Sequence, residues 1–245
     1  MFALAFAAPT RVTGPLSPQE AVRALSAISA QEGAGPLERL MVRCRGAICP
    51  LDLLASLVPP GSRALDLGCG RGILLALLAL EGRIRQGAGF DPSLRAVSLG
   101  RRLLRAVSAA TGVELRLERA DIAACAVEPL HDVATMVDVM HHLPAQQRRL
   151  AMRRAAAALR PGGLLIYKDM ARRPRWKQLA NRLHDLLLSK QWVREEPLEN
   201  VVRWAAEEGL ALEQRRSVQM LWYSHELCVF RKVSQQRQEA AGTAP

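Results

Sequence analysis

No apolar run in the chain reaches the roughly 18 residues that a membrane-spanning helix needs, so none is expected. Residues 1–9 are apolar but carry no basic flank and no convincing cleavage site. They read as a packed or frayed terminus rather than a signal peptide. No CxxC pair exists among Cys44, Cys49, Cys69, Cys125 and Cys228, and no histidine stands near them at ligand spacing. A disulfide framework and a zinc site are therefore not expected; no metal is assigned, and the thiols suit a reducing cytoplasm. Internal repeats and long low-complexity linkers are also lacking. Lysine is scarce, with four residues among the 34 Lys and Arg. The net charge of +11 is thus an arginine charge, such as a GC-biased codon supply also produces. It leaves nucleic acid permitted as a partner but not favoured.

What is present falls into three zones. Up to residue 61 the chain reads as a helical cap. Ser17-Pro18-Gln19-Glu20 is a capping box, followed by Val22, Leu25 and Ile28 at helical spacing. A second helical stretch carries Leu37, Leu40, Met41 and Cys44, and a third opens at Pro50. From residue 62 to 170 strands and helices alternate. Strands are expected at 64–67, up to Phe90, at 113–117, 133–137 and 164–168, the last entered through a tight Pro161-Gly162-Gly163 turn. Helices are expected at 73–80, 94–107 and from Pro144 to Leu159. Such alternation argues for an α/β fold, a doubly wound, mostly parallel sheet with helices on both faces. The third zone breaks it with a helical insertion at about 172–210. Two strands follow, at 218–223 and 227–233, joined at Ser224-His225 as an antiparallel hairpin. The core is bounded at 62–233, and residues 234–245 read as a disordered tail.

The chemistry centres on Leu65-Asp66-Leu67-Gly68-Cys69-Gly70-Arg71-Gly72, an apolar strand, a glycine turn and a helix start. Glycines let the backbone approach a ligand closely. Asp66 precedes the turn, Asp91 ends the second strand and Asp121-Ile122 follows the third. Acids at three successive strand ends define one groove along the carboxyl edge of a sheet.

In Ala64 to Gly72, Gly89-Phe90-Asp91, Ala120-Asp121-Ile122, Asp138-Val139-Met140-His141-His142-Leu143 and Leu159-Arg160-Pro161-Gly162-Gly163, the sequence resembles the class I S-adenosylmethionine-dependent methyltransferases. It is closest to their small-molecule and quinone-type members. The resemblance implies a seven-stranded Rossmann-like sheet, S-adenosyl-L-methionine as cofactor and a small-molecule acceptor methylated at oxygen or carbon. By position, Gly68, Gly70 and Gly72 would line the methionine moiety, with Cys69 packing beneath the ligand. Asp66 would steer its amino group, Asp91 would hold the ribose, Asp121 beside Ile122 would contact the adenine amine, and Asp138 would line the methionine end. No NPPY-like motif and no Pro-Cys nucleophile occur, which counts against base methylation and leaves ribose and protein targets open. A NAD-binding or non-catalytic nucleotide module is the alternative from another class. It fits poorly, because Asp66, Asp121 and Asp138 are not part of the dinucleotide fingerprint.

Methyl transfer to a neutral hydroxyl or amine is helped by a base, and His141 and His142 lie just past the expected cofactor edge. Neither is preferred, and either could instead cap or pack. Lys168 and Asp169 end the fifth strand, where they could position substrate or pair with one another. His184 lies on the apolar stripe of the insertion, packed or turned toward substrate. The basic-aromatic run Arg172 to Lys177 would suit an anionic membrane surface, unless its apolar face packs on the core.

Overall fold

The computed structural model describes residues 11–33, 35, 48–125, 127, 129–170, 196–220 and 223–233. Two compact units, Met1–Arg119 and Ala120–Pro245, divide the chain. Their strands make up a seven-stranded sheet, mostly parallel with a C-terminal antiparallel hairpin, as the alternation of elements predicted.

The first unit opens with α1 (Pro18–Gln31). The Ser17 hydroxyl accepts from the Glu20 amide, and the Glu20 carboxylate accepts from the Ser17 amide at 2.9 Å, so the predicted capping box forms. Its Ala21, Ala24, Leu25 and Ile28 are buried, and α1 packs against α3 (Ile73–Leu80) and α4 (Leu94–Thr111). A short α2 (Leu51–Ser56) follows Pro50. The strands β1 (Ser62–Leu67), β2 (Ile84–Asp91) and β3 (Glu114–Arg119) are parallel, with β2 between the other two. Residues 74–80 are all buried, so α3 is apolar all round, as a helix enclosed on every side must be. In α4 only one stripe is buried, through Val97, Gly100, Leu103, Leu104 and Val107, and the arginines Arg95, Arg102 and Arg105 are exposed.

The second unit carries β4 (His131–Val137), α5 (Ala145–Ala157), β5 (Leu159–Met170), α6 (Leu198–Glu207), β6 (Leu210–Met220) and β7 (Tyr223–Lys232). β5 runs parallel to β4 and antiparallel to β7, and β7 pairs with β6. Two boundaries differ from expectation. The Pro161-Gly162-Gly163 segment does not precede β5 but lies inside it. His131 pairs with Leu159 and Val133 with Leu164, so residues 160–163 bulge out, with Gly162 left-handed at φ 79° and its carbonyl accepting from Arg231. Ser224 and His225 do not form the hairpin turn either. Both lie in β7, where Ser224 faces Gln219 and His225 faces Val218, because the preceding strand extends from Leu210 to Met220. The second helical stretch near Leu40, the insertion at 172–195 and the tail after 233 fall outside the described residues.

Candidate functional site

In the first unit β1 ends in the glycine turn. Gly68, Gly70 and Gly72 all have left-handed backbones, at φ 76°, 56° and 72°, a conformation that side-chain-bearing residues rarely adopt. The Gly68 and Cys69 amides donate to the Phe90 carbonyl at 2.8 and 3.1 Å, which seats the turn on the end of β2. Two further glycines make room for it. A Cβ on Gly89 would stand 2.8 Å from the Cys69 sulfur, and one on Gly100 would stand 2.7 Å from the Arg71 carbonyl oxygen. At Gly70 the opposite holds: nothing lies within 4 Å of where its Cβ would be, so the crest of the turn is open to a ligand.

Asp91 is tied to this crest. One carboxylate oxygen accepts from the Gly70 amide at 2.9 Å and the other from the Ser93 amide at 2.9 Å. A carboxylate offers about four acceptor positions, so two remain for hydroxyl donors. Asp66 is buried in β1, and its charge together with that of Asp91 adds to burial in pushing the Cys69 thiol far above its usual range. A thiol held protonated is a packing group, not a nucleophile.

In the second unit Asp121 closes a turn, accepting from the Ala123 amide at 2.8 Å, while Ile122 beside it is buried. After β4 the chain turns sharply at Asp138, whose φ of 58° is the one non-glycine positive value among the described residues. The turn is held twice by β5. The Asp138 amide donates to the Lys168 carbonyl at 2.8 Å, and its carboxylate accepts from the Lys168 ammonium at 2.7 Å. Lys168 is completely buried, and this ion pair is what makes its burial tolerable.

Neighbouring strand residues alternate in direction, and Asp169 takes a different partner from Lys168. It meets the 3₁₀ turn Met140–His142 instead. Asp169 accepts from the His141 ring at Nδ1, from the His141 amide at 3.2 Å and from the Met170 amide at 2.7 Å. Lys168 and Asp169, adjacent in sequence, thus pair with Asp138 and His141 rather than with each other. The two histidines separate as well: His141 is buried and His142 exposed, with ring centroids 4.1 Å apart. Potential ligand atoms of Asp138, His141 and Asp169 lie within 4.8 Å of one another, but a cation there would have to displace the Lys168 ammonium. His184 lies outside the described residues.

A cavity of about 340 Å³ in the second unit was not foreseen from the sequence. Tyr167 and Asp169 of β5 line it, with Glu196 and Glu199 at the start of α6, Arg215 of β6 and Glu226 of β7. The one sequence signal was the hydroxyl of Tyr167 after the apolar run Leu164, Leu165 and Ile166; Glu196, Glu199, Arg215 and Glu226 are ordinary surface types until the hairpin folds back.

A family model described as a methyltransferase domain matches residues 43–215, well over half the sequence. The chain belongs to the methyltransferase-domain family. Its fold is that of the class I S-adenosylmethionine-dependent methyltransferases, as the motif order implied. A ubiquinone biosynthesis O-methyltransferase of Alkalilimnicola ehrlichii is 31% identical over 176 residues, which cover 67% of this chain and 65% of that protein. A carboxy-S-adenosyl-L-methionine synthase of a Geobacter species is 35% identical over 121 residues, 48% of each chain. The chain spans about half to two thirds of the length of the curated relatives it matches. Among solved structures, a SAM-dependent methyltransferase of Methanosarcina mazei superposes with a TM-score of 0.62 at 16% identity, over 75% of this chain and 98% of that one, a likeness of fold.

Within this family the glycine turn is the expected seat of S-adenosylmethionine, and the residues present fit such a group. The crest at Gly70 is sterically open, the Asp91 carboxylate is bonded to its amide, and Asp66 is a buried acid in the strand that leads into the turn. No helix among the described residues is long and apolar enough to cross a membrane.

Proposed function

We propose that this protein transfers a methyl group from S-adenosylmethionine to an oxygen or carbon of a small-molecule acceptor, a metabolite, quinone or lipid-like compound. The observation that carries the reading is the triply left-handed glycine turn closed by Asp91, set in a family of methyltransferase domains. The name of the O-methyltransferase relative supports an oxygen acceptor. When bound, the cofactor supplies a sulfonium methyl, an electrophile that needs alignment and dryness more than covalent help.

The chain's own residues then divide the work. Gly68, Gly70 and Gly72 admit the methionine moiety, and Cys69 fills the space beneath. Asp66 steers the amino group and Asp138 borders it. Asp91 offers its two remaining acceptor positions to the ribose, and Asp121 with Ile122 borders the adenine. His141 is the base. Asp169 accepts the Nδ1 proton, which leaves the lone pair on Nε2 to take the proton of an acceptor hydroxyl as it attacks. His142, exposed and with its backbone amide bonded to Val139, is assigned no proton transfer.

Calorimetric titration of the full chain with S-adenosylhomocysteine tests the reading. The wild type should bind in the micromolar range and Asp91→Ala at least tenfold more weakly. A well-folded wild type that ignores S-adenosylhomocysteine and binds NAD would sink it.

A further inference from the structure

The helix α5 carries Arg148, Arg149, Arg153 and Arg154 and no carboxylate of its own. Two of these arginines sit on its exposed side. Arg149 pairs with Glu207 at 2.9 Å and Arg153 with Glu208 at 3.1 Å, contacts of a kind that contributes little in water. Arg148 is different. Only 8% of its side chain is exposed, and both of its partners lie outside its own helix. Its Nε donates to the Leu143 carbonyl at 3.0 Å, and its Nη1 is ion-paired with Glu196. A guanidinium is planar, so one rigid fork sets both bonds.

Leu143 is where the 3₁₀ turn Met140–His142 ends, its amide donating to the Met140 carbonyl at 3.2 Å. A single 3₁₀ turn has poor internal hydrogen bonds, so contacts from outside fix its position. Asp169 holds the entry of this turn through the His141 amide and ring. Arg148 holds the exit, at the residue that closes it. Glu196 stands just ahead of α6, and its other oxygen accepts from Asn200 of α6 at 2.7 Å. Both oxygens of Glu196 are thus engaged, one on each side of the connection. The charges share one buried neighbourhood: burial first, then the Asp169 charge, pushes the Tyr167 phenol well above its usual range, Glu196 adds to that shift and Arg148 opposes it. Stability does not explain the arrangement, since a buried ion pair is commonly no more stabilising than well-packed apolar side chains of the same volume. What an apolar pair cannot do is donate to the Leu143 carbonyl and hold a carboxylate ahead of another helix at the same time.

We propose that Arg148 is a positioning residue of the methyl-transfer site. It clamps the exit of the turn that carries His141 and ties that turn to Glu196 at the head of α6. The setting of the His141 ring thereby depends on a carboxylate that is bonded to Arg148 and Asn200. The catalytic consequence rests on the reading of His141 as the base, but the tie itself does not.

The test needs no acceptor. In the full chain, the ¹⁵N shifts of the His141 ring and hydrogen exchange of the Leu143 amide are followed, with the Val229 amide of β7 as reference and S-adenosylhomocysteine binding measured on the same samples. Arg148→Lys keeps the charge but loses the planar fork. Glu196→Gln keeps the shape and loses the charge. Each should speed Leu143 exchange at least tenfold relative to Val229 and move the His141 ring shifts, with S-adenosylhomocysteine affinity within about twofold of wild type. Once Arg148→Met has removed the tie, adding Glu196→Gln should move the His141 shifts no further. Leu143 exchange that rises only in step with Val229, or His141 shifts unmoved in folded variants, overturns the proposal and leaves Arg148 a structural contact. A further shift from Glu196→Gln in the Arg148→Met protein overturns it too. A wild type that ignores S-adenosylhomocysteine while the variants still disturb His141 leaves the tie standing and removes the methyltransferase reading.

Discussion

Replacing Asp169 by asparagine separates a base held in one tautomer from a buried ion pair that only stabilises the fold. The carboxylate accepts three N–H donors, from the His141 ring, the His141 amide and the Met170 amide. Asparagine keeps the shape but one oxygen only: turned to keep the His141 amide, it gives up the bond from the Met170 amide, which shares the other oxygen with the His141 ring. Its amide group then faces Nδ1 with hydrogens and forces that nitrogen to accept, so the proton moves to Nε2 and the lone pair needed for catalysis is lost. Losing the charge on these hydrogen bonds should cost about 1–3 kcal/mol of stability. Loss of general-base help should cost about 10²–10⁴ in kcat. The drop should appear in kcat more than in KM, with S-adenosylhomocysteine affinity within about twofold of wild type, since tautomer exchange leaves uniform binding untouched. The ¹⁵N shifts of the His141 ring report the tautomer directly, without any acceptor. Wild type should show a protonated Nδ1 and Asp169→Asn a protonated Nε2, while His142→Ala should leave both the shifts and the rate nearly unchanged. An Asp169→Asn protein with wild-type kcat and an unmoved tautomer would refute the reasoning and reduce the pair to a structural contact.

Gly100→Ala should act on the cofactor site from a distance. Its Cβ would press on the Arg71 carbonyl and on a Leu117 methyl group 2.6 Å away, so denaturant unfolding should show a loss of about 1–3 kcal/mol and S-adenosylhomocysteine should bind more weakly as the glycine turn is displaced. Unaltered binding would mean the turn tolerates the shift. Alkaline stability should fall above pH 9. Burial first, then the Glu226 charge, pushes the Cys228 thiol from an ordinary 9.0 up to about 11. A group whose pKa is raised by folding contributes fully below its unfolded value, and that contribution is lost as pH rises through the folded value. Unfolding free energy should therefore drop by up to ~1.4 kcal/mol per pH unit per such thiol between pH 9 and 11. Cys228→Ala should reduce that slope, as followed by urea unfolding at each pH, and an identical slope in the variant would contradict the assignment.

The sequence alone determined the parts of this protein whose physics is local. The capping box at Ser17 and Glu20, the fully apolar α3 and the glycine turn after β1 are written in neighbouring residues, because helix capping, amphipathic period and left-handed backbone each depend on a few consecutive positions. So was the candidate cofactor turn, since its glycines are set by backbone conformation. The tertiary structure alone decided how Lys168 and Asp169 are used. Adjacent in sequence, they invite pairing with each other, and strand alternation sends them to opposite faces, one to Asp138 and the other to His141. It also sets His141 apart from His142: they differ in the chain by one position and in the fold by burial. The register of the hairpin was likewise out of reach. Only when β7 lies against both β5 and β6 do Arg215 and Glu226 come to face Tyr167 across a cavity, and pairing between strands separated by some 60 residues leaves no mark on the residues it joins.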